Sequence, residues 1–314
     1  MIERKRWFIL IALVISVIFM CHANSGKAAT LEWSGEVKVN LGVTDRGDDG
    51  GSSSGIMLDE VVLNLEADVV ENVNATAVIK YEEEELFLDE GYLTLTQFVN
   101  QPMKLLAGKR VLPFGVFNSH LITDPLTQDK YEINAPGLTL AFSQEALQGL
   151  EFSLSVYSDP NGDDDLGDFI LNVTMAPTDL VNFSVYFDSA QGVDRNNTAG
   201  VSLGVVVENL TVDFEYITAL ERDADAKETA FSLAGAYQLL PTFEVALRYE
   251  GYDDDTGVDE KFNEETLEGL ESRLSAGINY ELYEHTNLGA EFRMSSYELT
   301  DDTNEWGVQL SVEF

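Results

Sequence analysis

The sequence predicts an all-β fold, a transmembrane antiparallel up-and-down β-barrel of about 16 strands. Three observations lead to this prediction. Apolar and polar residues alternate with a period of two along most of the chain, as in strands with one apolar face. The connections between these segments are short at one end and mostly longer and acidic at the other. After Thr30, no run of about 18 apolar residues remains that could form a membrane-spanning helix.

Composition narrows the class of protein. The chain has 314 residues, with 18 Lys plus Arg against 56 Asp plus Glu, which gives a formal charge of −38. So acidic a chain lacks the cationic surface that nucleic-acid binding needs. One cysteine, Cys21, and three histidines leave no disulfide framework, no thiolate metal site and little for a histidine metal centre. We therefore expect no metal site and no cofactor.

Residues 1–29 have the three-part pattern of a secretory signal peptide. An apolar run from Trp7 to Met20 is followed by small residues and preceded by the basic residues Arg4, Lys5 and Arg6. We expect cleavage after one of three small residues, Ala23, Ala28 or Ala29. Residues 30–314 then form the barrel domain. An uncleaved anchor helix is the alternative.

The strands follow from the alternation in chain order. The last segment shows it most clearly, because Trp306, Val308 and Leu310 fall on one face while Gly307 and Gln309 fall on the other. The same pattern predicts strands over residues 31–43, 56–70, 74–83, 86–97, 102–110, 136–143, 150–158, 168–176, 180–190, 199–208, 210–219, 228–238, 242–251, 270–281, 286–297 and 305–314.

The alternation of short and long connections favours a barrel over the alternative, a water-soluble β-sandwich. A sandwich hides its apolar faces in a core and needs no systematic difference between two sets of loops. In a barrel the apolar faces meet lipid, and closure satisfies every backbone hydrogen bond there. An even strand number places both chain ends on the short-turn side.

Charged faces would then line the lumen. So many charges cannot be packed dry, and a barrel of about 16 strands is wide enough for an aqueous channel. The expected basic residues fall on strands 13, 14, 15, 1, 3 and 5, which closure makes one wall. They are Lys38, Lys80, Lys104, Arg110, Arg248, Arg273 and Arg293. Two interpretations stay open: a transverse field between opposed charges, or local pairing of each base with a neighbouring acid.

The connection Val111–Ala135 is the longest and differs from the others in composition. Its apolar residues, among them Leu112, Phe114 and Leu126, have little use in an exposed loop. We expect this segment to fold into the lumen and pack there. Ser119 and His120 lie within it, but adjacent residues rarely bring a serine nucleophile and its histidine base into contact. We expect no enzyme activity.

Two runs in this region carry a resemblance to a known family. They are Gly108-Lys109-Arg110-Val111-Leu112-Pro113-Phe114-Gly115 and Thr123-Asp124-Pro125-Leu126-Thr127. Both are similar to the motif of the LbtU-type siderophore porins, which are distantly like the phosphate-selective porins. The resemblance covers about residues 104–142. It implies an inward third loop, passive uptake of ferric siderophores, and an assembly signal at Phe314 that is read by the barrel-assembly machinery.

These observations lead us to expect a porin in the outer membrane of a Gram-negative bacterium, in contact with its lipid and lipopolysaccharide. Small solutes would diffuse through a pore narrowed between the basic wall and six residues of the third loop: Phe114, Phe117, His120, Asp124, Asp129 and Glu132. A ladder of basic residues for phosphate selectivity is missing. The alternatives are a general cation-preferring porin and a structural or adhesive barrel with a plugged lumen. Trimers are common among porins, so a homotrimer is the expected assembly.

Overall fold

The computed structural model describes residues 30–45, 52–82, 84–97, 102–144, 149–158, 166–191, 196–220, 228–254, 270–298 and 301–314. The expected signal segment 1–29 and parts of several long acidic connections lie outside these residues. Within the described ranges, no helix is long and apolar enough to cross a membrane.

Sixteen antiparallel strands form one closed barrel, in which each strand pairs with its neighbours in sequence and β1 pairs with β16. The predicted all-β barrel is confirmed. The strands are β1 Leu31–Asp45, β2 Ser52–Val70, β3 Val73–Glu82, β4 Glu85–Leu95, β5 Met103–Val111, β6 Asn134–Gln144, β7 Leu150–Tyr157, β8 Asp168–Thr178, β9 Val181–Gln191, β10 Asn196–Val207, β11 Leu210–Ala219, β12 Glu228–Leu240, β13 Phe243–Asp254, β14 Leu270–Tyr283, β15 Thr286–Tyr297 and β16 Thr303–Glu313. A short helix, α1 (Leu126–Tyr131), lies between β5 and β6.

Several strands extend further toward the long connections than the apolar alternation indicates. β2 begins at Ser52, β10 begins at Asn196, and β13 ends at Asp254. The extensions pair through the backbone, for example Ser52 with Asp45 of β1, and ladder hydrogen bonds do not need an apolar face. The predicted connections Thr44–Gly55 and Gln191–Thr198 were therefore too long.

The two faces of β13 differ sharply in exposure. Leu247 and Tyr249 are 60% and 47% exposed on the outside of the barrel, whereas Arg248 and Glu250 are 1% and 0% exposed inside it. Successive side chains point to opposite faces of a strand. The outer surface of the barrel is therefore apolar, and the lumen is polar and charged.

The chain ends meet where the barrel closes. Gly35 and Phe314 exchange two backbone hydrogen bonds of 2.9 and 3.0 Å, and the Phe314 ring packs against Trp33 with 5.8 Å between centroids. A Cβ atom at Gly35 would lie 2.6 Å from the Phe314 ring, so glycine is required for this close approach. The C-terminal aromatic residue thus belongs to the closing seam of the barrel.

Candidate functional site

Residues 112–133, called the inner loop below, leave the end of β5, run inside the barrel and return to β6. Phe114 of this loop is 1% exposed. Its ring packs edge-on against Tyr186 of β9, with 5.0 Å between centroids, and lies 6.5 Å from the ring of Tyr131 in α1. Because Tyr186 belongs to the inward face of β9, these contacts place the base of the inner loop in the lumen.

Arg248 of β13 binds the middle of the inner loop through four hydrogen bonds. Its Nη1 donates to Thr123 O over 2.8 Å and to Ser119 Oγ over 3.2 Å. Its Nη2 donates to Thr123 Oγ1 and to Asp124 O, each over 2.9 Å. Glu250 Oε2 lies 3.0 Å from Nε of the same side chain. A guanidinium presents its donors in a fixed fork, which suits a bend of backbone carbonyls.

Three buried carboxylates of the wall accept hydrogen bonds from the inner loop. Glu215 of β11 accepts from Val116 N over 2.8 Å and from Thr127 Oγ1 over 2.6 Å. Glu250 accepts from Leu126 N over 2.6 Å. Glu291 of β15 accepts from Thr123 N and Oγ1 over 3.0 and 2.8 Å. Hydrogen bonds to charged acceptors are the stronger kind, so these contacts fix the loop along β11–β15.

His120 lies between two further wall carboxylates. Its Nε2 is 2.9 Å from Asp213 Oδ2, and its Nδ1 is 3.6 Å from Glu244 Oε1. The hydrogen bond to Asp213 raises the pKa of His120, and the nearby Glu244 adds to this, against the opposing effect of partial burial. The two carboxylates thus favour the charged form of the ring, which bridges β11 and β13. The Ser119 hydroxyl instead donates to the carbonyls of Leu121 and Thr123.

The wall that faces the inner loop from the other side is formed by β1–β4, and two β-bulges shape it. The pairing of β1 with β2 shifts after Lys38, which leaves Asp59 beside Glu60 without an opposite residue. The pairing of β3 with β4 shifts after Val78, which leaves Asp89, beside Glu90, without an opposite residue. A bulge turns an extra side chain toward the same face. Each bulge therefore adds one carboxylate to the lumen.

Lysines partly neutralise this wall through local ion pairs. Glu60 lies between two of them, with Oε1 at 3.2 Å from Lys38 Nζ and Oε2 at 3.1 Å from Lys80 Nζ. Lys80 also lies 3.7 Å from Asp89, and Asp59 is hydrogen-bonded to Asn40. Of the two interpretations of the basic wall, local pairing describes these lysines.

Three carboxylates stand on one exposed edge of the inner loop. Asp124 and Glu132 face β1–β4 from this edge, whereas Asp129 lies 3.7 Å from Arg273 of β14. Asp124, Asp129 and Glu132 are exposed. Glu132 interacts electrostatically with Lys80 and Asp89, and Asp124 with Asp59. The space between this loop edge and the wall is called the passage below. Carboxylates outnumber cations on both of its sides.

The protein that surrounds the passage changes the acidity of the loop carboxyls. Partial loss of hydration raises the pKa of Asp129, which the guanidinium of Arg273, 3.7 Å away, partly offsets. Loss of hydration also raises the pKa of Glu132, although the hydrogen bond from Gln128 opposes it. Burial disfavours the charged form of an acid. These groups therefore take up protons at a higher pH than free carboxyls do.

The seven basic residues expected on one wall divide into four groups. Lys38 and Lys80 line the passage. Arg248 and Arg273 are buried beneath the inner loop, and Arg293 of β15 is paired with Glu305 of β16. The remaining two, Lys104 and Arg110, line a separate cavity of about 480 Å³ that is bordered by β5–β8. Arg110 also stacks over the ring of Tyr92, 5.5 Å from its centroid.

The six expected loop residues divide as well. Asp124 and Glu132 face the passage, and Asp129 is exposed beside Arg273 of β14. Phe114 is buried in the base of the loop, and Phe117, in the left-handed region with a φ of 51°, packs against that base. His120 is a tether to the wall. Their assignment as a constriction stays a prediction, but only the three carboxylates border open space.

Sequence reasoning named Arg248 and His120 as site residues, but it singled out neither the carboxylates that hold the loop nor the second acid of each bulge. Alternation puts Glu215, Glu250 and Glu291 on the lumen face, but it gives no sign that loop amides bind them. Asp59-Glu60 and Asp89-Glu90 did carry a signal, because two adjacent acids interrupt an alternating strand. Among the described residues, no three His, Cys, Asp or Glu side chains are grouped to hold a metal ion.

Comparison with known proteins relates this architecture to solved structures. No model of a known protein family matches the sequence, and no curated protein matches it. An anion-selective porin from Comamonas acidovorans is 12% identical, with a TM-score of 0.68 over 91% of this chain and 100% of that one. OprB of Pseudomonas putida is 7% identical, with a TM-score of 0.69 over 90% and 94%. OmpF of Salmonella typhi is 11% identical, with a TM-score of 0.63 over 90% and 97%. The chain shares the fold of these outer-membrane proteins.

Proposed function

We propose that the chain is an outer-membrane porin through which small solutes diffuse passively, with a preference for cations. The observation that carries this proposal is the one-sided attachment of the inner loop. The loop binds β9, β11, β13 and β15, and its carboxylates on the other edge stay exposed toward β1–β4. A loop bound in this way narrows the lumen without filling it.

The charges of the passage support the expected selectivity. Asp59, Glu60, Asp89 and Glu90 stand on the wall against Lys38 and Lys80, and two loop carboxylates, Asp124 and Glu132, face them. A cleft lined by one sign of charge raises the local concentration of counter-ions, and rings of carboxylates favour cations in channels. The passage should therefore enrich cations over anions.

Ferric siderophores are a second candidate substrate, supported by the resemblance of residues 108–115 and 123–127 to siderophore porins. In this fold, several residues of these two runs pack in the barrel or bind the inner loop to its wall. A Cβ at Gly108, which has a φ of 141°, would lie 2.3 Å from Gly91 O. Phe114 is buried, and Thr123 and Thr127 bind wall carboxylates. The motif thus accounts for the shape of the loop, and the siderophore proposal rests on the resemblance alone.

The setting of the protein completes the proposal. We also propose that residues 1–29 are removed and that the chain lies in the outer membrane, in contact with lipid and lipopolysaccharide. Assembly through Phe314, a homotrimer and a lack of enzyme activity belong to the same proposal. The apolar outer surface supports the membrane location, because exposed side chains such as Leu247 and Trp306 need an apolar solvent. A closed barrel leaves no unpaired strand edge in lipid.

Solute flux into proteoliposomes tests the proposal. The refolded chain should admit a neutral monosaccharide and an organic cation faster than an anion of equal size, whereas protein-free vesicles should admit none of them. Flux of a ferric siderophore above that of a neutral solute of the same mass would support the second candidate. A folded barrel that admits no solute would overturn the porin proposal and favour a plugged structural barrel.

A further inference from the structure

The turn of the inner loop carries two apolar residues, Leu121 and Ile122, that point into the wall. Polar contacts hold the turn on either side of them. Asn279 of β14 donates to His120 O over 2.8 Å, and Glu291 of β15 accepts from Thr123 as described above. The two apolar side chains are therefore pressed against the surface between these anchors.

Glycines occupy the wall positions that face Leu121 and Ile122. Three glycines on the lumen faces of β14, β15 and β16 form a depression, called the glycine notch below: Gly277, Gly289 and Gly307. A Cβ atom at Gly277 would lie 2.5 Å from Leu121 Cδ2. One at Gly289 would lie 2.3 Å from Ile122 Cγ2, and one at Gly307 would lie 2.8 Å from Ile122 Cδ1. Real Cβ atoms do not approach other atoms this closely.

Of the three glycines, Gly289 leaves the least room for a Cβ atom. Ile122 is β-branched, so its Cγ2 cannot swing aside as the end of a long side chain can. Any residue larger than glycine at position 289 must therefore push the turn away from the wall. Gly42 of β1 pairs with Gly307, yet a Cβ atom there would meet nothing within 4 Å. Of these two paired glycines, only the one that Ile122 contacts must therefore be glycine.

We propose that Leu121 and Ile122 are positioning residues of the passage, whose insertion into the glycine notch holds the turn of the inner loop against β14–β16. The lumen space toward β1–β4 stays open because the turn is held on the other side. The effect on conduction rests on the proposed porin function. The insertion itself does not, and the two are tested separately.

A cysteine pair tests the insertion without any need for conduction. A Cβ at Gly289 would lie 3.9 Å from Ile122 Cβ, and disulfides join Cβ atoms about 3.5–4.5 Å apart. In a full-length chain with Cys21→Ser, Ile122→Cys/Gly289→Cys should form an intramolecular disulfide on mild oxidation, scored by thiol alkylation and mass spectrometry. Ile122→Cys/Gly55→Cys is the matched control and should stay reduced. An unoxidised first pair, or equal oxidation of both pairs, would overturn the proposal.

Single-channel conductance tests the positioning role. Gly289→Ala should lower conductance by pushing the turn toward the passage, and Ile122→Ala in the same chain should restore it, because that change removes the clashing Cγ2. Gly42→Ala should conduct like the unsubstituted chain. Unchanged conductance in Gly289→Ala, or no recovery in the double variant, would refute the positioning role. If the disulfide forms but the unsubstituted chain conducts no current, the insertion stands and the porin proposal fails.

Discussion

The guanidinium of Arg248 binds Thr123 at two points. Nη1 donates to the carbonyl oxygen over 2.8 Å, and Nη2 donates to Oγ1 over 2.9 Å. The two residues are 125 positions apart in sequence. The contact therefore joins the inner loop to β13, a strand far from it along the chain. Together with the glycine notch, it determines which side of the lumen the loop occupies.

Arg248→Gln should release the inner loop from the wall. The change removes the forked donor and the nearer of two cations beside buried Glu250, since Arg273 Nη1 stays 4.0 Å from its Oε2. Breaking a buried ion pair typically costs about 3–5 kcal/mol. We expect faster protease cleavage within residues 112–133 and an unsteady single-channel current, while the barrel remains resistant to unfolding in detergent. Arg293→Gln is the control, because Arg293 is paired with Glu305 on the neighbouring strand. Equal protease resistance of the Arg248 variant and the control would contradict this role.

The tether at His120 should weaken in alkaline solution. The pKa of His120 is raised chiefly by its hydrogen bond to Asp213, with a contribution from Glu244. A raised pKa means that the tether is fully present below the ordinary value of about 6.5 and is lost as pH rises through the higher value. Spontaneous channel closures should therefore become more frequent as pH rises above this ordinary value. In His120→Gln they should be independent of pH over that range; the same pH dependence in this variant would rule out His120.

Neutralising the loop edge should reduce cation preference. Asp124→Asn with Glu132→Gln removes the two exposed loop carboxylates that face β1–β4. The cation-to-anion permeability ratio from the reversal potential should fall toward unity, with little change in stability, because both side chains are exposed. Asp179→Asn with Glu284→Gln, in the exposed turns between β8 and β9 and between β14 and β15, is the control of equal charge change. An unchanged reversal potential in the double variant would remove these residues from the passage.

Acid should have the same effect as those substitutions. Partial loss of hydration raises the pKa of Asp129 and of Glu132. Their negative charge is therefore lost as pH falls, starting above the ordinary carboxyl range of about 3.9–4.3. The permeability ratio should decline with falling pH, and Asp129→Asn with Glu132→Gln should flatten the decline. A ratio that stays constant until the ordinary carboxyl range would show that these groups do not control selectivity.

The sequence alone was sufficient for the barrel but not for its interior. Period-two alternation predicted every strand, since exposed residues such as Trp306 and buried ones such as Arg248 lie on opposite faces wherever the backbone is extended. It failed where polar residues continue a strand, as at Ser52, because apolar alternation records burial and not backbone pairing.

The candidate site was predicted less completely, for a physical reason. The apolar content of the third long connection indicated that it packs in the lumen. Its contacts, however, join residues far apart in sequence, so Arg248 beneath the loop and Lys38 beside the passage looked alike as lumen cations. The glycine notch was also hidden, since Gly277, Gly289 and Gly307 come together only through the register of β14–β16. Adjacent acids within one strand, as in Asp59-Glu60, are a signal of a bulge that sequence analysis can use.

The cation preference of the passage is best tested by the reversal potential of the unsubstituted chain. The chain is reconstituted in a planar bilayer between two concentrations of potassium chloride. We expect stable single-channel steps and a reversal potential of the sign that potassium selectivity gives. A folded barrel with no conductance, or a channel that prefers chloride, would contradict a cation-preferring passage between the inner loop and β1–β4.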